Sequence, residues 1–310
     1  MQKSIVWMEI AFALSVVPAL AQDSETALAS PAFTLEGRAV SSTNSLGTFT
    51  RIDAAGGYSF NSHWSLSVGA PYYFLRPSDS VSATTGTGPV SGLGNAYSQI
   101  RFTSPIGGVT YVSTLTGTAP TGDRSKGLST GHATFDWSNY FERGIGRLTP
   151  FGEIGFANAI SDTDYFLRPY TTSGFVTHLQ GGGRYRFTRW MSLGVSGYAL
   201  ETAGQQTVVS RVVVAPAASA NGVAANVSAN GVGVAASGAL NGKSPKRVFE
   251  SAATTTGSAS IARDEGATAV LLFPVARNTS LYAGYSRSVR FDLNTYFAGI
   301  GVNLRKPTGF

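Results

Sequence analysis

Charged side chains two residues apart recur along this chain: Glu36 and Arg38, Arg51 and Asp53, Arg184 and Arg186. On an extended strand, positions i and i+2 share one face. The same parity groups them with Arg101, Asp136, Glu142, Glu153 and His178. Facing rows of arginine and carboxylate can line an aqueous path and bias its ion selectivity. They can equally lock together as a salt-bridged plug inside a narrow barrel. Both readings stay open at this stage.

Catalytic chemistry has little to work with. Nucleophilic catalysis needs a base beside an activated hydroxyl, and the chain has only 3 His. His63 falls in a short turn and reads as an interface residue, while His178 shares its face with Gln180. His132, near Ser129 and Asp136, is the one placement that suggests a membrane-facing hydrolase, without a recognised lipase motif around it. Three scattered histidines do not make a zinc site. Ser161-Asp162-Thr163-Asp164 lacks the spacing of a calcium loop and reads as a solvated external loop. Gly181-Gly182-Gly183 has no helix after it, so it is no phosphate cradle. No catalytic, cofactor or metal residue is assigned.

The elements that must position these charges have a period of two. Trp64, Leu66, Val68, Ala70, Tyr72 and Phe74 fall on one face, with Ser65, Ser67, Gly69, Pro71 and Tyr73 on the other. Tyr296, Ala298, Ile300, Val302 and Leu304 repeat the pattern near the end. Apolar-out, polar-in alternation is the mark of a transmembrane strand. Strands are expected near 33–42, 48–60, 64–76, 92–104, 109–120, 132–142, 148–160, 174–187, 190–203, 266–275, 279–290 and 293–304. The fold class expected is all-β: an antiparallel up-and-down transmembrane barrel of about twelve strands, with 10–14 as the range. The weakest strand is 266–275, where Val270-Leu271-Leu272-Phe273 does not alternate and Pro274 intrudes.

Composition agrees. Charged residues make up 13% of the chain, against about 25% in soluble proteins. The 37 Gly and 13 Tyr suit a thin wall with aromatic girdles. The chain holds no Cys and carries a formal net charge of +6. Its basic residues are scattered, so a nucleic-acid partner is excluded. Lys3, an apolar stretch from Ile10 to Val17, and Ala19-Leu20-Ala21 read as a signal peptide over 1–21. The barrel domain is then 22–310.

Short connections at Asn61–His63, Pro105–Gly108, Arg143–Arg147, Thr188–Arg189 and Ala276–Asn278 alternate with longer ones at 77–91, 121–131, 161–173 and 204–265. In outer-membrane barrels the short turns face the periplasm, which would put both termini there. The last connection contains an Ala/Val/Gly/Asn/Ser tract over 215–245, in which Ala-Asn-Gly-Val occurs twice; it reads as a disordered surface loop, with folding over the mouth as the alternative.

Two segments resemble a family of presumed outer-membrane barrels tied to the MetA pathway of phenol degradation. One is Ser91-Gly92-Leu93-Gly94-Asn95. The other is Ala119-Pro120-Thr121-Gly122-Asp123 with Gly127-Leu128-Ser129-Thr130-Gly131. Asn95 stands where the family usually has Asp. The resemblance implies a barrel that handles small, often aromatic compounds. Phe310 is a terminal residue of the kind that barrel assembly machinery reads.

The expectation is thus a passive channel or transporter for small solutes in the outer membrane of a Gram-negative-type bacterium. Its partners would be outer-membrane lipid, lipopolysaccharide and the barrel-assembly machinery. The alternatives are a closed structural or surface-binding barrel and, as a minor reading, a hydrolase around His132.

Overall fold

The computed structural model describes residues 31–214 and 247–307. The expected signal segment, the 215–245 tract and Phe310 lie outside the described residues.

The chain runs β1 (Ala32–Asn44), β2 (Gly47–Ser59), β3 (Trp64–Pro77), the short helix α1 (Asp79–Thr85), β4 (Val90–Leu93), β5 (Tyr97–Ile106), β6 (Val109–Thr118), β7 (Thr134–Glu142), β8 (Leu148–Ala157), β9 (Tyr170–Thr188), β10 (Met191–Ser210), β11 (Thr254–Ser258), β12 (Asp264–Ala276), β13 (Thr279–Ser288) and β14 (Leu293–Pro307). Each long strand pairs antiparallel with its neighbours, and β14 pairs with β1, Ala32 opposite Pro307 through Thr43 opposite Tyr296. Twelve strands therefore close into a barrel. β4 and β11 add short edges to β3 and β10. Closure leaves the twelve-stranded wall without an open edge, as a bilayer demands. No helix among the described residues is long and apolar enough to cross a membrane.

The two-residue rhythm holds around the wall. Leu66, Val68, Ile100, Leu115, Ile154, Leu179, Val195 and Leu271 are exposed on the outer face. Two aromatic belts border this apolar band. Near the short turns, Tyr58 meets Phe60, Trp64 meets Phe102, Phe102 meets Tyr111, Tyr111 stacks on Phe141, and Tyr185 meets Phe187. Near the long loops, Tyr72 meets Phe74, Trp137 meets Phe156, and Tyr285 meets Tyr296. Trp64 and Phe74 lie ten residues apart on β3. At about 3.3 Å per residue and ~40° of tilt, that spans roughly the 25 Å of an apolar membrane band.

Prolines mark places where the ladder lapses. Pro71 lies between Gly69, which pairs with Tyr97 of β5, and Tyr72, which pairs with Leu93 of β4. Pro274 sits beyond Leu272, the last β12 residue paired with β10, and at a register shift against β13. This is why the least regular expected strand survives: the missing donor falls where no central pairing needs it.

Several boundaries differ from the sequence expectation, and three of the differences have a clear structural cause. The strand expected over 92–104 begins at Tyr97, because Gly94 to Ala96 turn aside: the Gly94 N–H donates to the Pro71 carbonyl at 2.8 Å, and the Ala96 N–H to Thr121 Oγ1 at 2.7 Å. The strand expected over 148–160 ends at Ala157, since the chain then turns into the barrel. The 204–265 connection is shorter than expected, because β10 continues to Ser210 and β11 pairs with it. That extension passes a register shift at Ala203/Thr207, where Gly204 takes φ +70°, a conformation glycine adopts without strain.

Strand parity makes an asymmetric prediction. Val68→Arg, on the outer face, should destabilise the folded barrel by about 2–4 kcal/mol in a lipid-refolding titration, whereas Ser67→Arg, one residue away, should cost far less. Equal costs would contradict the assigned faces.

Candidate functional site: the barrel interior and its infolded loop

The residues grouped by parity all sit on the wall face opposite the exposed apolar side chains. On β1 and β2, Arg38 Nε lies 3.9 Å from Asp53, and Arg51 Nε lies 2.8 Å from the same carboxylate. Glu36 accepts from Asn303 Nδ2 at 3.1 Å. On the far wall, Arg184 reaches Glu142 at 3.3 Å, and the Tyr140 hydroxyl donates to Glu142 at 2.9 Å. His178 lies between two carboxylates, with Nε2 3.1 Å from Asp136 and Nδ1 3.5 Å from Glu153. A Cβ at Gly155, directly opposite, would collide with the imidazole, so this glycine lets the ring lie against the wall. Arg186 is exposed near the short turns, and its backbone N–H donates to the Arg147 carbonyl at 2.8 Å. The Arg101 side chain has no hydrogen bond and no ion pair with any described residue.

The interior also holds something the sequence reading placed outside. Ser161-Asp162-Thr163-Asp164 was expected as a solvated external loop; instead residues 158–169, between β8 and β9, fold into the barrel. The Asp162 side chain is 1% exposed. One of its oxygens accepts from Arg211 Nη1 at 2.6 Å and from the Arg168 backbone N–H at 3.0 Å. The other accepts from the Tyr73 hydroxyl at 3.0 Å and faces Arg51 Nη1 at 3.4 Å. Asp164 receives Arg38 Nη1 at 2.6 Å. The loop's apolar residues complete the seal: Leu167 is fully buried, and its N–H donates to Ser42 Oγ at 2.9 Å. Phe166 stacks against Phe297, and Tyr165 meets Tyr282.

Electrostatics explain the inward fold. Burial alone would raise the Asp162 carboxyl, but the Arg211 and Arg51 charges, with the Arg211 and Arg168 hydrogen bonds, outweigh it and hold the group at about 2. Asp164 is lowered too: burial opposes, and the Arg38 charge and hydrogen bond prevail. A carboxylate left in this interior without its arginines would be costly. The charge partners of this loop leave no local signal, because Arg38, Arg51 and Arg211 lie on β1, β2 and beyond β10, more than 40 residues away in sequence.

A second layer covers the loop. Arg211 also donates to the Arg168 carbonyl at 3.0 Å and lies over the Tyr73 ring at 5.0 Å. Phe249 stacks on Tyr170 at 4.6 Å and meets Phe291 edge-on. Arg247 donates to the carbonyls of Phe291 and Asp292 at 2.6 and 2.7 Å. Gly127, at φ +69°, packs so closely on the Ser210 carbonyl that a Cβ would overlap it. The Val214 N–H points to Thr87 Oγ1 at 3.4 Å. Segments from the loops after β3, β6, β8 and β10 thus meet over one end of the barrel. The two motifs that carried the family resemblance are also joined there: Asn95 Oδ1 accepts from the Gly122 N–H at 3.0 Å, and Thr121 Oγ1 donates to the Gly94 carbonyl at 3.2 Å.

The residues behind the hydrolase alternative do not meet. His132 is exposed, Ser129 Oγ accepts from the Gly131 N–H at 3.0 Å, and Asp136 is engaged with His178 inside the barrel. His63 Nδ1 lies 2.8 Å from the Thr103 carbonyl at a short turn.

Comparison with solved structures places the fold. The chain is similar to the COG4313 outer membrane channel from Pseudomonas putida F1, at TM-score 0.54 and 12% identity, over 94% of this chain and 100% of that one. Weaker similarity extends to the NanC porin (TM-score 0.46, 8% identity, 87% of this chain and 100% of that one) and to the KdgM porin in complex with disordered oligogalacturonate (TM-score 0.41, 9% identity, 86% and 96%). The first establishes an outer-membrane type of barrel. No family model and no curated relative matches the chain.

Because the folded loop holds Asp162 below the usual carboxylate range, its clasp is at full strength above about pH 4. It weakens as pH falls through about 2. Pepsin cleavage at Phe166–Leu167 should therefore stay slow at pH 4 and accelerate toward pH 2. Asp162→Asn should speed chymotrypsin cleavage after Tyr165 or Phe166 at pH 8 by tenfold or more. Equal rates in the two proteins would remove Asp162 from the role given to it.

Proposed function

We propose that the protein is a gated outer-membrane channel for passive passage of small solutes, aromatic or apolar ones among them. The long-loop end would face outside, with both termini in the periplasm. The observation that carries this reading is the lumen beneath the infolded loop. There, rows of Arg, Asp and Glu project from opposite walls among small hydroxyl side chains. The Asp164 side chain, inside the barrel and bonded to Arg38, is still 56% exposed. A salt-bridged solid plug would leave no such space. Water-filled space lined by fixed charges is what conducts and selects ions. The likeness to an outer membrane channel agrees with this reading, and the phenol-degradation resemblance favours small aromatic compounds as the solutes.

The infolded loop makes the channel conditional. Passage would require residues 158–169 to leave the lumen, and the Asp162 clasp opposes that movement. A second reading, a closed structural or surface-binding barrel, is favoured by one specific observation: the aromatic packing of Phe166, Tyr170, Phe249, Phe291 and Phe297 at the loop end.

Planar-bilayer recording separates the two. Refolded wild-type protein should give rare discrete openings. Asp162→Ala should raise the open probability about tenfold or more, since removing one partner of a buried ion pair costs about 3 kcal/mol or more. Silence of both proteins, in preparations shown to be folded, would favour the closed barrel.

A further inference from the structure

Most interior arginines are already committed to a carboxylate. Arg38 holds Asp164, Arg51 holds Asp53, Arg184 holds Glu142, and Arg211 holds Asp162. Arg101 is different. Its side chain projects inward from β5 with no ion pair or hydrogen bond to any described residue, although Glu36, Asp164 and Glu142 all act on it electrostatically. Two of those three are occupied, Asp164 by Arg38 and Glu142 by Arg184 and Tyr140. Glu36 has only the Asn303 amide.

The surroundings leave the Arg101 head accessible. Its cross-strand partners are Ser65 on β3 and Thr114 on β6, and Thr114 in turn faces Ser138 on β7. Side chains this small cannot cover a guanidinium. Tyr140, which also acts on Arg101, stacks on Phe151 at 5.8 Å, and the pair offers an apolar surface on the same interior. A free planar fork matches a carboxylate in two-point geometry, and a nearby pair of rings receives an apolar body.

We infer that Arg101 is the solute-recognition residue of the lumen and takes the carboxylate of a small aromatic or apolar acid, whose ring lies toward Tyr140 and Phe151. This rests on the channel reading for its physiological meaning, but the site itself is a binding claim. The step is binding only; no bond is made or broken.

The test uses full-length refolded barrel in detergent, with benzoate as the probe. Benzyl alcohol and benzylamine serve as neutral and cationic controls of similar size. Saturation-transfer NMR and equilibrium dialysis read binding. Benzoate should bind in preference to both controls, and Arg101→Gln should weaken it at least tenfold. Arg101→Lys, which keeps the charge and loses the fork, should fall between them. Loss in Arg101→Gln alongside an unchanged β-sheet spectrum and unchanged heat-modifiable mobility in gels assigns the effect to the site rather than to folding.

Bilayer recording then separates the two levels of the argument. Block of conductance by benzoate that disappears in Arg101→Gln supports both the site and the channel. Conductance indifferent to benzoate, or benzylamine bound more tightly than benzoate, overturns the inference and leaves the channel standing. Arg101-dependent binding without any conductance keeps the site and overturns the channel. Folded wild-type protein that binds no benzoate refutes the site outright.

Discussion

A carboxylate out of reach of water needs cations and hydrogen-bond donors around it, and Asp162 has gathered them from three parts of the chain. Arg51 comes from the wall, Arg211 from the segment leaving β10, and the Arg168 N–H from its own loop, with the Tyr73 hydroxyl as a fourth contact. Each contact is possible only if residues 158–169 lie inside the barrel. Because Arg211 also bonds the Arg168 carbonyl, the same carboxylate fixes the start of the next loop. The aromatic layer of Tyr170, Phe249 and Phe291 then has a floor to pack on. Barrel closure makes the space, and this ion cluster decides how it is filled.

The arrangement divides the interior into two regimes. Toward the long loops, Val40, Phe49, Leu75 and Val208 turn inward beside the infolded segments and form an apolar core. Toward the short turns, hydroxyl and charged side chains such as Ser65, Thr114, Arg101 and Arg184 share the inward positions with the Tyr140 and Phe151 rings. A wall built for lipid on one side can therefore support a dry core at one end and a wet one at the other, depending on which residues occupy alternate positions. Ion pairs are a suitable latch between these regimes. Their strength depends on the water that reaches them, so a partial opening that hydrates Asp162 also weakens its hold.

The barrel was legible in the sequence because its physics is local and periodic. Trp64 to Phe74 declares its two faces without reference to any other strand. Turn positions such as Asn61 and Gly107-Gly108 declare themselves in the same way: Asn61 Oδ1 accepts from the backbone N–H groups of His63 and Trp64 at 2.8 and 2.9 Å. The infolded loop was not legible. Ser-Asp-Thr-Asp looks solvated, and nothing within ten residues shows that Arg38, Arg51 and Arg211 await it. Tyr73, whose ring the sequence lets pass for part of an aromatic girdle, is a partner of that loop. One clue was available: Ile160, Phe166 and Leu167 flank the acidic residues, an apolar density that a solvated loop has no use for. Parity placed the charged residues on one face but could not say which would pair, since pairing across a barrel depends on register and shear rather than on spacing along one strand.

The central claim is that residues 158–169 are part of the folded interior. Hydrogen-exchange mass spectrometry on the barrel in detergent tests it directly at neutral pH. The backbone N–H groups of Ile160, Phe166, Leu167 and Arg168 each donate to a side-chain oxygen. The account predicts that a peptide spanning 158–169 exchanges about as slowly as the strands beside it. Complete exchange within seconds, as a solvated loop would show, would contradict it.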